Sequence, residues 1–170
     1  MKDTTTTSGV VCALLISMFT LGCKKQASTP LQLPPATHVG ANILACKVNG
    51  QVVNSKGAAG KMSQFGDGVY YVVSGDSNAV VHATSSGNLP FSLDIGSKYR
   101  FALGTYKIEH TPYSSGAGFN SFVTDSTHGG YITYTYYDGN ILAGTFSFDA
   151  VNANDSVIHI TEGVFDIENH

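Results

Sequence analysis

Charge is scarce in this chain. Asp, Glu, Lys and Arg make up 12% of its 170 residues, about half the usual share for a soluble domain. From Ala27 onward, six basic residues stand against eleven acidic ones, a net charge near −5. No basic footprint of the kind that binds nucleic acid is present, so nucleic acid is not an expected partner. Long apolar runs are missing too. Val10–Leu21, "VVCALLISMFTL", has twelve residues, against the roughly 17–25 that a membrane-crossing helix requires. Beyond it no helical period persists for more than two turns, which leaves no sequence for the crossover helices of a parallel sheet.

Catalytic signatures are absent as well. There is no G-x-S-x-G nucleophile elbow. Gly57–Ser63, "GAAGKMS", fails as a phosphate loop, because Ser55 stands where the first glycine belongs and Met62 follows Lys61. His82, His110, His128 and His159 lie far apart, without the close His or Cys pairing of metal sites. His38 and His170 fall in a linker and at the terminus, where solvation is the default. Asp94, Glu109, Asp149, Glu162 and Asp166 mostly alternate with apolar neighbours and read as outward, solvated strand positions. No catalytic residue, metal site or cofactor is expected. A tertiary cluster of His82 or His159 with carboxylates in a cleft is the arrangement that would reopen catalysis.

What is present begins at the N-terminus. The twelve-residue apolar run fits the core of a secretory signal peptide, and Lys2 supplies a positive start. Gly22 then precedes Cys23. Thr20–Cys23, "TLGC", resembles the lipobox of bacterial lipoprotein signal peptides, departing from it at Thr20, where Leu is commonest. The resemblance implies a signal peptide over 1–22, cleavage before Cys23, and lipid on that cysteine. A plain signal peptide with an incidental cysteine and an uncleaved anchor are the alternatives. Two or more acyl chains, at about 0.8 kcal/mol per buried methylene, make a stable membrane anchor. Cys12 would leave with the signal and Cys23 would carry lipid. Cys46 then stands alone, without a partner for an intrachain disulfide. Within "ILACKV" it reads as a small buried hydrophobe.

Residues 23–42 form the expected tether. Three of the five prolines lie between Lys24 and Asn42, a composition that favours an extended spacer. The folded domain is expected over 43–170. Strand and turn signals recur there at short intervals. Asn49-Gly50 splits "ILACKVNGQVV" into a hairpin. Asp138-Gly139-Asn140 turns "GGYITYTYY" into "ILAGTFSFDA", and Asn152–Asp155 leads into "SVIHITEGVFDIE". About ten short strands result, an all-β antiparallel sandwich or barrel-like domain.

Alternation assigns faces. Leu142, Phe146 and Phe148 share one side, with Gly144 leaving space, while Ala143, Thr145, Ser147 and Asp149 share a wet side. Ile132, Tyr134 and Tyr136 alternate against Tyr131, Thr133, Thr135 and Tyr137. Ile158 and Ile160 are out of phase with Phe165 and Ile167. One extra residue restores the phase, so a bulge is expected at Glu162-Gly163.

"KVNG" (Lys47–Gly50), "GTFSF" (Gly144–Phe148) and "ITEGVFD" (Ile160–Asp166) together resemble a family of Bacteroidetes lipoproteins of unknown function. The likeness covers roughly Lys47 to Ile167. It departs where an aromatic residue often follows the opening hairpin and "QVVNS" has none. The resemblance implies an exported lipoprotein with a β fold and no known activity. In that context "DST" (Asp125–Thr127) and "DSV" (Asp155–Val157) resemble short O-glycosylation patterns, with Ser126 and Ser156 as acceptors at loop edges.

Tyr131, Tyr134, Tyr136 and Tyr137 crowd one hairpin and suit either a binding face or cross-strand packing. The expected function is a non-enzymatic interaction or binding module, lipid-anchored at the cell envelope, with the outer membrane as the expected site. Its partner would be an envelope protein or glycan. A small hydrophobic ligand or glycan carrier with a barrel cavity is the alternative, and an enzyme without recognisable motif the third.

Overall fold

Asn49 and Gly50 both adopt positive φ, 48° and 82°. That geometry suits a tight two-residue hairpin turn, and it joins β1 (Ile43–Val48) to β2 (Gln51–Lys56). Asn49 also fixes this hairpin to its neighbour. Its backbone N–H donates to the His159 carbonyl, and its side-chain oxygen accepts from the His159 N–H, both at 2.9 Å. The computed structural model describes residues 31–56, 68–74, 78–85, 90–97, 102–108, 111–115 and 120–168. The signal segment, Cys12, Cys23, the Gly57–Ser63 loop, Glu109, His110 and His170 lie outside the described residues.

The remaining strands are β3 (Gly68–Ser74), β4 (Asn78–Ser85), β5 (Phe91–Ser97), β6 (Gly104–Lys107), β7 (Pro112–Ser115), β8 (Asn120–Val123), β9 (Gly130–Tyr137), β10 (Ile141–Val151) and β11 (Val157–Glu168). All pairings among the described residues are antiparallel. The sheet runs β2-β1-β11-β10-β8-β7-β5-β4-β3, with β9 and β6 branching from β10. β10 makes the corner. Its Leu142–Phe148 stretch pairs with β9, and its last residue, Val151, pairs with Val123 of β8. The two ends of the sheet meet at Ser55. Its buried hydroxyl donates to the Thr84 carbonyl (2.5 Å) and lies 3.1 Å from that of Gly68. The all-β expectation holds, in the form of a nearly closed, barrel-like sheet.

Inside, the wall is lined by the positions that alternation assigns. Leu142, Phe146, Phe148 and Ala150 of β10 pack with Leu93, Ile95, Tyr134, Ile160, Phe165 and Ile167 in one core. Each large apolar side chain so buried contributes about 1.5–3 kcal/mol. Two glycines accommodate aromatic rings. Gly144 lies opposite Phe165, and Gly163 opposite Phe146. A Cβ on Gly144 would lie 2.6 Å from the Phe165 ring, and one on Gly163 would lie 2.5 Å from the Phe146 ring.

The bulge expected at Glu162-Gly163 is present. Phe146 pairs with Gly163 and Phe148 with Ile160, so β11 carries one residue more than β10 over this stretch. Glu162 absorbs it with φ of 52°. Ile158 and Ile160 before the bulge, and Phe165 and Ile167 after it, all reach the core. A second bulge corrects the sequence reading of β9. Ala143 pairs with Tyr136 but Gly144 with Tyr134, so Thr135 is extra. Beyond Thr135 the faces exchange. Tyr136 turns outward to stack on His38, and Tyr137 turns toward Tyr71.

Candidate functional site: a strapped groove on the outer face

Apart from Ile43 and Val164, the outer face of β1, β11 and β10 carries small or polar residues, and part of it is dry. Ile43, Asp166 and Ala143 stand side by side in register. Ala45, Ala143 and Asp166 are 0%, 0% and 1% exposed, although the two alanines lie outside the interior core. Alternation predicts a wet side for Ala143. The segment before β1 explains the difference. Leu31–Asn42 forms neither helix nor strand. It crosses this row as a strap, and Asp166 grips it. The Thr37 hydroxyl donates to Oδ2 at 2.5 Å, the Val39 N–H to Oδ2 at 3.1 Å, and the Gly40 N–H to Oδ1 at 2.9 Å. Burial acts to raise the Asp166 pKa. The donors from Thr37, Val39, Gly40 and Ala41 outweigh it, and the carboxyl is held below the ordinary range.

Further contacts hold the strap at both sides. His38 stacks on Tyr136 with centroids 5.1 Å apart and meets the Thr135 hydroxyl at 3.2 Å. The Glu168 N–H donates to the Asn42 side chain at 3.0 Å. Gly40 (φ 68°) and Asn42 (φ 53°) make the turn into β1. A Cβ on Gly40 would meet that of Glu168 at 2.7 Å, so a side chain there lacks room.

Two grooves flank the strap. One, of about 400 Å3, runs between Gln32–Ala41 and β1–β2, lined by Pro35, Val39, Ile43 and Asn54. The other, of about 430 Å3, lies beside Leu33 and Pro34 over β9, β10 and β11. Its floor holds Tyr131, Thr133, Thr145, Ser147 and Val164, with Glu162 and Gly163 at the bulge. Tyr131 is 60% exposed and lies directly opposite Ser147, while Thr133 lies opposite Thr145. Glu162 accepts a hydrogen bond from Lys47 Nζ at 2.6 Å.

The four singled-out tyrosines are therefore dispersed. Tyr131 lines the groove. Tyr134 is buried, hydrogen-bonded to Ser97 at 3.0 Å and packed edge-on against Phe165. Tyr136 supports the strap through His38, and Tyr137 meets Tyr71 edge-on. Ser126 and Ser156 are exposed, as loop-edge positions should be. Sequence reasoning did not single out Thr133, Thr145, Ser147 or the Leu33-Pro34 wall as site residues. The signal for the floor was present, since hydroxyl-bearing residues occupy the outward positions of two adjacent strands.

Among the described residues, His82, His128 and His159 each pair with an aspartate, none of them in the two grooves. His82 Nδ1 bonds Asp94, and the His82 ring lies 4.5 Å from that of Tyr70, in one lateral row across β3, β4 and β5. Burial, and then the Asp94 charge, raise the Tyr70 phenol. His159 Nδ1 meets Asp149 at 2.8 Å, and His128 Nδ1 meets Asp125 at 3.0 Å. Among the described residues no three His, Cys, Asp or Glu side chains converge as metal ligands would. Cys46 is buried, and its thiol is pushed up to about 12 by burial. No family model, curated protein or solved structure matches this chain.

Proposed function

We propose that this protein is an exported lipoprotein of the Bacteroidetes type whose motifs it resembles, anchored through Cys23 at the cell envelope. On this reading it is a non-enzymatic binding module that works through the outer face of its sheet. Aromatic packing inside the sheet, among the described residues, carries the argument. Phe146 packs on Phe148 and Phe165 at 6.3 and 6.4 Å, and Tyr134 on Phe165 and Tyr106 at 6.1 and 5.8 Å. Aromatic contacts of this kind suit a packed core better than a ligand cavity. The outer grooves, in contrast, are open and bordered by a strap that needs its own anchoring residue. The His–Asp pairs are cross-strand or local loop pairs, which fits a structural role.

Two measurements test this reading. Cys23→Ser should abolish labelling with radioactive palmitate and release the protein from membranes. A wild type that never labels, with a mutant that stays bound, would overturn the anchor. A soluble form beginning at Ala27 should retain a saturable envelope ligand, and Tyr131→Ala should lose it. Equal retention by the two forms would remove the outer face as the binding surface.

A further inference from the structure

We propose that the groove between Leu33-Pro34 and the β9–β10–β11 face binds a neutral carbohydrate, with Tyr131 as its stacking platform. The inference rests on the binding-module reading and names its ligand class. A groove of about 430 Å3 sits in the lower part of the roughly 300–1,000 Å3 range of small-ligand sites. Its ten lining residues are too few to serve alone as a stable protein interface, which takes about 20–30 from each partner.

Its chemistry narrows the ligand. Tyr131 presents a flat ring, 60% exposed, at one side. Across from it, Ser147 and Thr145 point hydroxyls outward from β10. The hydroxyls of Tyr131, Thr145 and Ser147 have no protein partner among the described residues. Each can donate and accept. A pyranose ring has the matching surface, an apolar C–H face for the phenol ring and a rim of hydroxyls for Ser147 and Thr145. A hydrocarbon ligand would leave those hydroxyls desolvated and unpaired, a cost it cannot offset.

Charge selects further. Glu162 is the groove's carboxylate, and Lys47 Nζ meets it at 2.6 Å, so the site is close to neutral. An anionic saccharide would face Glu162 without a free cation in the lining. A neutral one can use the carboxylate as a hydrogen-bond acceptor without displacing Lys47. Leu33 and Pro34 form an apolar wall opposite the hydroxyls. That wall belongs to the strap, so the strap's grip on Asp166 also shapes the site.

The test uses the soluble form beginning at Ala27. It is titrated with cello-, malto-, xylo- and manno-oligosaccharides, chitotriose and, as the anionic control, oligogalacturonate, read by isothermal titration and by NMR line shifts. At least one neutral oligosaccharide should bind at millimolar concentration or below, and oligogalacturonate should not. Tyr131→Ala should weaken binding about tenfold or more. Tyr131→Phe, which keeps the ring, should stay within a few-fold of wild type. Thermal melts of both variants matching wild type would show that the exposed site changed without the fold. The proposal fails if no neutral oligosaccharide binds, if Tyr131→Ala binds as wild type does, or if oligogalacturonate binds equally well. Retention of an envelope protein that Tyr131→Ala loses, with no saccharide binding, would overturn the carbohydrate and leave the binding module standing.

Discussion

Replacing Asp166 by Asn should release the strap while leaving the sheet intact. The substitution keeps shape and volume but exchanges one acceptor oxygen for an NH2 group. Oδ2 accepts from Thr37 and Val39, and Oδ1 from Gly40. Whichever way the amide turns, at least one donor then faces another donor. That loss is worth about 1.5–3 kcal/mol for a hydrogen bond to a charged group. The surviving bonds fall from charged to neutral strength, roughly half. A total near 3 kcal/mol follows, limited by the strap's own docking free energy, because a strap that lets go loses nothing further. Tm is thus a blunt readout, and amide hydrogen exchange a sharp one. The Val39 and Gly40 amides should lose about a hundredfold of protection, while Phe146, Ile160 and Phe165 in the core keep theirs. Acid supplies a second arm. The folded-state pKa of Asp166 is depressed, so its contribution is complete above the unfolded value of about 3.9 and is lost as pH falls through the lower folded value. The wild-type strap should hold at pH 4 and open on further acidification, whereas Asp166→Asn should show no such step. Equal protection of Val39 and Gly40 in the two proteins would refute the account of the strap.

Two further outcomes follow from packing. Gly144→Ala would set a Cβ 2.1 Å from the Thr133 carbonyl oxygen, whereas Gly163→Ala meets the Phe146 ring at 2.5 Å. Overpacking of this kind costs about 1–3 kcal/mol; both variants should melt earlier in calorimetry, and Gly144→Ala earlier still, because a backbone oxygen cannot swing aside as a ring can. An unchanged melt for Gly144→Ala would contradict the close approach of β9 and β10. Cys46, 0% exposed and with its thiol raised to about 12, should resist iodoacetamide in the native protein and react once denaturant unfolds it; rapid native labelling would show that this strand opens.

Much of the fold was legible because it depends on short-range phase. Asn49-Gly50 specifies a hairpin by its φ preferences alone. Ile158 and Ile160 fall out of step with Phe165 and Ile167, and only an extra residue reconciles them. The bulge in β9 left no such trace. Tyr136 and Tyr137 are the same residue type, so the exchange of faces after Thr135 changes nothing in the pattern. β7, "PYSS", escaped notice because Pro and Ser carry little strand preference. Its proline is tolerated at the first position of the strand. The strap was the larger omission. Alternation places Asp166 on the outer face but says nothing of what covers that face. Only the fold brings Thr37, more than a hundred residues earlier in the chain, within 2.5 Å of it.

The Glu162 bulge ties the core to the candidate site. Without the extra residue, Phe165 and Ile167 would face outward and Asp166 inward, since a one-residue slip reverses every side chain beyond it. The core would lose two large apolar groups, and the strap would lose its acceptor. The residue that absorbs the insertion, held at φ 52°, also lines the groove beside Gly163. Gly163 in turn is the position that the Phe146 ring requires to be bare. One irregular turn of backbone therefore sets the phase of the interior, the anchor of the strap and the polar end of the groove. A left-handed Glu costs about 1 kcal/mol or more. That cost is small beside the burial of Phe165 and Ile167 at about 1.5–3 kcal/mol each, so packing alone is enough to hold Glu162 where the groove needs an acceptor.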